Sequence, residues 1–488
     1  MVGMQELARR LRAARNLEDF IKQTLDGGVD FIDLRFVDLP GRWHHVTIPT
    51  TRLTPRLFTK GTGFDGSSVP GFAAVESGDM VLIPVRDTAT AEEYNGHHVV
   101  AMVATAALAD TREPFALDPR VIAARAEKAL SDSGHADVSL WSPELEFNVF
   151  SRVSHGESPG GAYYEVCSRE AGLLDDDSTE PELGHHIRPR SGYHAVPPAD
   201  EHFELRNEIA ARMEAAGIPV KYHHHENGAA GQVEIEVEGE PLVVAADHLM
   251  WGKYIVRNTA VERGLAATFM PKPLADEPGN GMHFHIKLAR GGTPVFHGED
   301  GYAGLSEQAL FFIGGVLTHG RALAAITNPS TNSYRRLRPG YEAPTNLFFS
   351  AANRSAAIRI PKYATEPETK TIEYRPSDAS GNPYLSMAAL LAAGLDGMQR
   401  RIDPRENGFG PFDRNVHDLP SSERDKIVPL PVTLEEALIE LARDSAFLSE
   451  SGIFPEEFAP VWMGLKRRES EEIGGRPHPM EYGLYFDC

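Results

Sequence analysis

The stretch KYHHHENGAAGQVEIEVEG, residues 221–239, joins three consecutive histidines to a glycine-rich step and then to alternating glutamates. Such alternation predicts a β-strand, because successive side chains of a strand point to opposite faces. Glu234 and Glu236 therefore share one face, whereas the adjacent histidines 223–225 cannot all bind one ion. A metal held by histidines would be zinc, and one held by carboxylates would be magnesium or manganese.

Three other segments place two polar side chains two residues apart with an apolar residue between them. They are WSPELEFNVF with Glu144 and Glu146, GMHFHIKLA with His283 and His285, and KTIEYRP with Glu373 and Arg375. One such segment alone is typical of a solvated sheet face. Several converging carboxylates repel each other unless a cation neutralises them, and oxygen ligands with one imidazole suit Mg²⁺ or Mn²⁺. The pattern favours metal and phosphate chemistry.

Arginines are concentrated in two later segments. NPSTNSYRRLRPGYEAP contains Arg335, Arg336 and Arg338, and NRSAAIRIPK contains Arg354 and Arg359. The planar guanidinium group suits bidentate contacts with phosphate or carboxylate, and phosphoryl transfer from ATP requires divalent ions and positive charge. The sequence has no Walker motif and no protein-kinase motif. A nucleotide would therefore bind by the rules of another fold.

Composition limits the class of protein. With 488 residues, of which 41% are apolar, the chain is long enough for two folded domains. Its 70 acidic and 48 basic residues give a net charge of −22, which argues against nucleic acid or an anionic membrane as a partner. Two cysteines, Cys167 and Cys488, are typical of a protein from a reducing compartment. The sequence contains no run of about 18 consecutive apolar residues, so we predict no membrane-spanning helix. We expect a cytoplasmic protein.

Strand patterns dominate the first part of the chain. Alternating apolar residues on both sides of Pro40 and Gly41 predict a hairpin, and the runs MVLIPV and HHVVAMVATA predict further strands. We predict a small strand-rich domain over residues 28–113, followed by a large α+β domain over residues 114–488.

The large domain alternates strands with helices. Asp118 and Pro119 predict the N-cap and the first residue of its first helix. Continuous apolar periodicity predicts one long helix over residues 305–327 and another over residues 433–452.

Seven motifs occur in order between Val29 and Tyr485. They are FDGSSVPGF, PELEF, HHENGAAGQVE, TFMPKPL followed by GNGMHFH, NPSTNSYRRLRPGYEAP, NRSAAIRIP and IEYRPSDASGNPYL. Together they resemble type I glutamine synthetase. The resemblance implies an α+β fold, with a small N-terminal β-grasp domain and a large catalytic domain whose curved antiparallel sheet forms an active-site funnel. It also implies a dodecamer of two hexameric rings, with active sites between neighbouring subunits.

The resemblance further implies roles for individual residues. The first of two or three divalent ions would be held by Glu146, Glu226 and Glu234. The second, which bridges the phosphates of ATP, would be held by Glu144, His283 and Glu373. Asp65 of the neighbouring subunit would bind ammonium and take its proton, Glu342 would close over the site, and Arg354 would contact the transferred phosphoryl group. The implied substrate-binding residues are Gly279, Arg336, Arg354 and Arg375, and the implied ATP-binding residues are His285 and Arg359.

The implied reaction joins glutamate to ammonia in two steps. The glutamate side chain attacks the γ-phosphoryl group of ATP, and ammonia then displaces phosphate from γ-glutamyl phosphate to give glutamine. A related enzyme that joins glutamate to an organic amine, such as a polyamine or ethanolamine, is an alternative, since acceptor choice depends on a few pocket contacts. A catalytically silent assembly or sensor protein on the same fold is a further alternative.

Five positions depart from the family pattern. Pro278 replaces an asparagine in the loop that holds glutamate, so contacts with the amino acid are affected there. Lys287 stands where serine is common, and Ala352 and Thr371 stand where arginine is common. His417 replaces the tyrosine that some members adenylylate, which predicts that this control is absent.

Overall fold

The computed structural model describes residues 3–173, 183–340, 343–414, 416, 422 and 426–488. The elements of its N-terminal part are α1 Met4–Arg12, α2 Leu17–Asp26, β1 Phe31–Val37, β2 Trp43–Pro49, α3 Leu57–Lys60, β3 Thr62–Asp65, β4 Asp79–Pro84, β5 Thr90–Tyr94 and β6 His97–Leu108. Asn16 begins α2 as its N-cap, because its side-chain oxygen accepts a 2.9 Å hydrogen bond from the Asp19 amide.

The N-terminal sheet has the strand order β2–β1–β6–β4–β3, and β5 also pairs with β6. β1 and β6 are parallel, whereas β1 and β2 form the predicted antiparallel hairpin. Gly41 in its turn has a φ of 92°, a left-handed conformation that favours glycine. Leu7 and Leu11 of α1 and Phe20 of α2 are buried in a core with Leu34 of β1. The predicted β-grasp domain is confirmed.

The second part of the chain contains a larger set of elements. Its strands are β7 Val138–Phe150, β8 Arg152–Ser158, β9 Gly161–Cys167, β10 Val220–His225, β11 Gln232–Val237, β12 Glu240–Pro241, β13 Ala266–Thr268, β14 Met282–Arg290, β15 Thr293–Pro294, β16 Asn346–Ala351, β17 Ala356–Ile360 and β18 Ile372–Tyr374. Its helices are α4 Pro119–Ser133, α5 Phe203–Ala216, α6 Leu242–Glu262, α7 Glu307–Thr318, α8 Gly320–Thr327, α9 Ser333–Arg336, α10 Pro383–Arg400, α11 Leu434–Arg443, α12 Ala446–Glu450, α13 Phe458–Gly474 and α14 Pro479–Tyr485.

The large sheet has the strand order β10–β11–β7–β14–β18–β17–β16 and is antiparallel except for the β16–β17 pair. Its register sets Glu234 opposite Glu146, and His283 opposite Glu144. Residues opposite each other in a sheet present their side chains on the same face. The intervening apolar residues, such as Phe147, are buried in the main core on the other face. The predicted α+β domain with an antiparallel sheet is confirmed.

The first predicted helix of this domain is confirmed as α4. Its N-cap is Asp118, whose carboxylate accepts hydrogen bonds from two amides of the first turn. The prediction of a single helix over residues 433–452 is wrong, because the segment forms two helices, α11 and α12. Asp444 ends α11 with a non-helical ψ of 66°.

The single helix predicted over residues 305–327 is also wrong, because α7 and α8 meet at an angle of 74°. Gly320 at the start of α8 lies so close to β16 that a Cβ atom would be 2.4 Å from a Leu347 methyl group. Apolar periodicity continues through the bend, so the pattern did not reveal it. Within the described ranges no single helix is long and apolar enough to cross a membrane, although this bent pair reaches that length and composition jointly.

Arg35 of β1 attaches the N-terminal sheet to the rest of the chain. Its guanidinium group lies 4.5 Å from the ring centroid of Trp251 and 4.1 Å from that of Tyr254, both on α6. Arg35 also forms an ion pair with Asp33, and both side chains are more than nine-tenths buried. The domain boundary at residues 113 and 114 falls between β6 and α4, and it stays a prediction.

Candidate active site

A cavity of about 350 Å³ opens on the polar face of the large sheet. The predicted site residues that line it are Glu144, Glu146, Glu226, Glu234, Gly279, His283, Arg336, Arg354, Arg359, Glu373 and Arg375. Strand register explains part of this convergence, since β11, β7, β14 and β18 are neighbours in the sheet. They present on one face the side chains of Glu234, Glu144, Glu146, His283 and Glu373.

One set of possible metal ligands, the central group, consists of Glu144, His283 and Glu373. Their ligand atoms lie within 4.8 Å of one another. His283 Nδ1 is 2.7 Å from Glu144 Oε2 and 3.8 Å from Glu373 Oε1. These three residues are the ones that the sequence motifs assign to the second ion.

A second set, the edge group, consists of His224, Glu226 and Glu234, again with ligand atoms within 4.8 Å of one another. His224 Nε2 is 3.5 Å from Glu234 Oε1, and His224 Nδ1 is 3.7 Å from Glu226 Oε1. The motifs assign Glu146 in place of His224. Glu146 lines the same cavity, and its Oε2 accepts a 2.6 Å hydrogen bond from the Gly281 amide.

The three consecutive histidines lie in three different environments. His224 lines the cavity. His223 Nδ1 accepts a 3.4 Å hydrogen bond from Arg206 Nε. The His225 side chain is fully buried, with Nε2 3.2 Å from Glu170 Oε2. The alternation of side chains along β10 therefore separates the imidazoles, and they do not form one metal site.

The charge in the cavity is unbalanced around the edge group. Burial and the charges of Glu144, Glu146 and Glu226 raise the pKa of Glu234 well above its usual value. A bound cation removes this repulsion, and carboxylate oxygens with one imidazole fit a hard divalent ion. The residues of both groups therefore fit a divalent metal.

Glu236 has a partner that the sequence did not indicate. Its Oε1 accepts a 2.6 Å hydrogen bond from Lys221 Nζ. Glu236 also forms a third cluster with Glu144 and His285, with ligand atoms within 4.8 Å of one another. His285, predicted to bind ATP, is buried with Nε2 at 2.9 Å from Glu144 Oε1.

Three of the predicted arginines are held by protein groups. Arg336 is buried and donates from Nη1 to the carbonyl of Pro376 over 2.7 Å. Arg375 Nε donates to Glu373 Oε1 over 2.9 Å, and Arg359 Nη1 donates to Glu373 Oε2. These contacts fix the positive charge next to the central group.

Arg354 is the exposed member of this set. Burial opposes its charge, but the neighbouring Tyr193 and the more distant Glu373 raise the pKa of Arg354. Tyr193 lines the cavity, as do Lys221, Tyr222 and Tyr363. Sequence reasoning missed these four residues, because isolated tyrosines and lysines carry no pattern.

Asp65 lies apart from the cavity of its own chain. It is exposed at the end of β3, and its carboxylate accepts hydrogen bonds from the hydroxyls of Ser67 and Ser68, each 2.7 Å long. These bonds lower the pKa of Asp65. Glu342 and His417 lie outside the described residues.

The remaining departures from the family pattern have clear positions. Pro278 is buried and lines the cavity. Lys287 donates a 2.8 Å hydrogen bond to the Glu368 carbonyl, and Thr371 donates a 2.9 Å hydrogen bond to the Ile286 carbonyl. Both side chains therefore bind the protein backbone. Ala352 has a left-handed φ of 66°.

Comparison with known proteins identifies the family. The model of the glutamine synthetase β-grasp domain matches residues 28–107, and that of the glutamine synthetase catalytic domain matches residues 116–485. Glutamine synthetase of Frankia alni is 43% identical over 472 residues, covering 96% of this chain and 99% of that protein. That of Aquifex aeolicus is 43% identical over 460 residues, covering 94% and 96%.

Similar solved structures support the same family. The Plasmodium falciparum glutamine synthetase has a TM-score of 0.87 at 26% identity, covering 96% of this chain and 98% of that one. GmaS without ligand has a TM-score of 0.77, also at 26% identity, covering 96% and 99%. The chain belongs to the glutamine synthetase family and is a ligase that forms a carbon–nitrogen bond. ATP and divalent metal binding are general features of that family.

Proposed function

We propose that the protein makes L-glutamine from L-glutamate, ammonia and ATP through γ-glutamyl phosphate. The observation that carries this proposal is the convergence of the central group, the edge group and four arginines in one cavity. Divalent ions and positive charge are what phosphoryl transfer from ATP needs. The 43% identity with glutamine synthetases supports ammonia as the acceptor.

The proposed metal is Mg²⁺ or Mn²⁺, with two or three ions in each site. The first ion would be held by Glu146, Glu226 and Glu234, with His224 close enough to contribute. The central group would hold the second. When bound, these ions neutralise the charge of the phosphates.

The protein's own residues would then position and stabilise the reactants. Gly279 and Arg336 would orient glutamate, and Arg359 would contact ATP beside His285. Arg354, which is exposed to the cavity, would stabilise charge on the transferred phosphoryl group.

Two carboxylates are proposed for the second half of the reaction. Asp65 would bind ammonium and take its proton, and its low pKa suits attraction of a cation. Glu342 would close the site so that water does not hydrolyse the acyl phosphate.

An assembly of subunits is part of the proposal. Asp65 does not line the cavity of its own chain, which supports a site shared with a neighbouring subunit. The proposed assembly is a dodecamer of two hexameric rings. The low cysteine content, two residues, supports a cytoplasmic location. The net charge of −22 argues against nucleic acid or a membrane as a partner.

A glutamate–amine ligase is the alternative. Pro278 lines the cavity at a position where the family usually has asparagine, so the pocket differs from the usual pattern. The likeness to GmaS leaves this alternative open, at the same 26% identity as the Plasmodium falciparum enzyme.

Phosphate release from ATP and glutamate tests the proposal. Ammonium is compared with ethanolamine and polyamines, in the presence of Mg²⁺ or Mn²⁺. We expect glutamate-dependent turnover with ammonium. Turnover with an amine and none with ammonium would establish the alternative, and no turnover with any acceptor would indicate a silent member of the family.

A further inference from the structure

The carboxylate of Glu226 lines the cavity, but its backbone is held from the opposite side of β10. His225 Nδ1 lies 2.6 Å from the Glu226 carbonyl oxygen. A carbonyl can only accept a hydrogen bond, so His225 Nδ1 is the donor. The imidazole is completely buried and does not line the cavity, so it acts on the site only through its neighbours.

The other ring nitrogen of His225 is held by Glu170, which is 55 residues away in the chain. His225 Nε2 is 3.2 Å from Glu170 Oε2, and Glu170 is itself only 1% exposed. Glu170 is fixed in turn, because its Oε1 accepts a 2.7 Å hydrogen bond from the Glu201 amide. The ring therefore has one orientation, with Nδ1 directed at Glu226.

The same histidine supports the loop that carries Tyr193 into the cavity. The His225 carbonyl accepts a 3.0 Å hydrogen bond from the His194 amide. Gly192 lies against the ring so closely that a Cβ atom would be 2.7 Å from His225 Nδ1 and 2.5 Å from the Glu226 carbonyl oxygen. His225 thus contacts both the strand end with Glu226 and the loop with Tyr193.

We propose that His225, oriented by Glu170, is a positioning residue that sets the Glu226 carboxylate and the Tyr193 loop relative to each other. The proposal rests on the proposed function of the cavity. Groups that orient a metal ligand typically change metal affinity by about 10- to 100-fold when they are removed. His225 acts on Glu226 through the peptide carbonyl, so the bond at Nδ1 carries the effect.

Two substitutions separate the contacts of the two ring nitrogens. His225→Asn places an amide donor near the position of Nδ1, whereas His225→Gln reaches toward Glu170 and removes the donor to Glu226. Binding of Mn²⁺ alone, followed by the electron paramagnetic resonance signal of the free ion, is measured for both and needs no substrate. We expect Mn²⁺ affinity to fall about 10- to 100-fold in His225→Gln and clearly less in His225→Asn.

His319 provides the matched control. It is a buried histidine between two carboxylates, with Nδ1 2.8 Å from Asp444 and Nε2 3.0 Å from Asp396, in the helical layer. His319→Gln should lower the melting temperature and leave Mn²⁺ affinity unchanged. Equal Mn²⁺ affinity in His225→Gln, His225→Asn and wild type would overturn the proposal, as would equal losses in the two His225 variants.

Glu170→Gln keeps the shape of the pair, and it decides the matter if a His225 variant does not fold. We expect weaker Mn²⁺ binding and a lower kcat with little change in the KM for ATP. Unchanged Mn²⁺ affinity in Glu170→Gln would contradict the role of the pair. A wild type that binds Mn²⁺ without turnover on ammonium would count against the proposed function and not against His225.

Discussion

The central and edge groups share one cavity but differ in how their negative charge is balanced. Burial and Glu144 oppose ionisation of Glu373, yet Arg375, His285 and Arg359 hold its pKa below the usual value. Around Glu234 the neighbouring charges are carboxylates, and its pKa is raised. The protein thus supplies its own counter-charge for the central group, whereas the charges that shift the pKa of Glu234 are negative and would be relieved by a bound cation.

The largest effect is expected from removing a ligand of the edge group. Glu226→Ala should lower glutamate-dependent phosphate release by more than about 100-fold, because a ligand matters at least as much as the groups that orient it. His223→Ala is the control, because His223 lies in β10 but does not line the cavity, and it should leave the rate close to that of wild type. Similar losses in both variants would contradict this account, because His223 would then matter as much as the Glu226 carboxylate.

A smaller effect is expected from removing the counter-charge of the central group. The side chains of Arg375 and Glu373 are 5% and 2% exposed, and Arg359 also donates to Glu373, so removing Arg375 weakens the counter-charge of Glu373 without abolishing it. Arg375→Gln should therefore lower the free energy of unfolding of the metal-free protein by about 2 kcal/mol, the scale of one hydrogen bond to a charged group. Denaturant unfolding in the presence of a chelator measures it, and an unchanged midpoint would show that Glu373 does not need Arg375.

The edge group should respond in the opposite direction. Glu234→Gln removes a repelled charge, so the metal-free variant should melt about 1–3 °C above wild type at neutral pH. Because the folded pKa of Glu234 is raised, its stabilising protonated form is fully present below the unfolded pKa of about 4.3 and is lost as pH rises through the folded pKa. The advantage of Glu234→Gln should grow over that pH range. With saturating Mn²⁺ the wild type should melt higher, and the same order with and without metal would contradict the comparison.

Strand periodicity predicted the polar face of the sheet, because Glu144, His283 and Glu373 each follow a simple alternation that survives in the fold. The bend at Gly320 was not predictable, since it depends on the close approach of Leu347, a residue distant in sequence. Periodicity also could not show which residues from loops join the cavity. Tyr193 and the His225–Glu170 pair depend on contacts between segments that are far apart in the chain.

Counting the Mn²⁺ ions bound by wild type, Glu234→Gln and Glu373→Gln tests whether each group holds one ion. Titration followed by the signal of free Mn²⁺ should give at least two tightly bound ions per chain in wild type and one fewer in each variant. Full wild-type binding in both variants, or loss of all ions in either one, would contradict the assignment of one ion to each group.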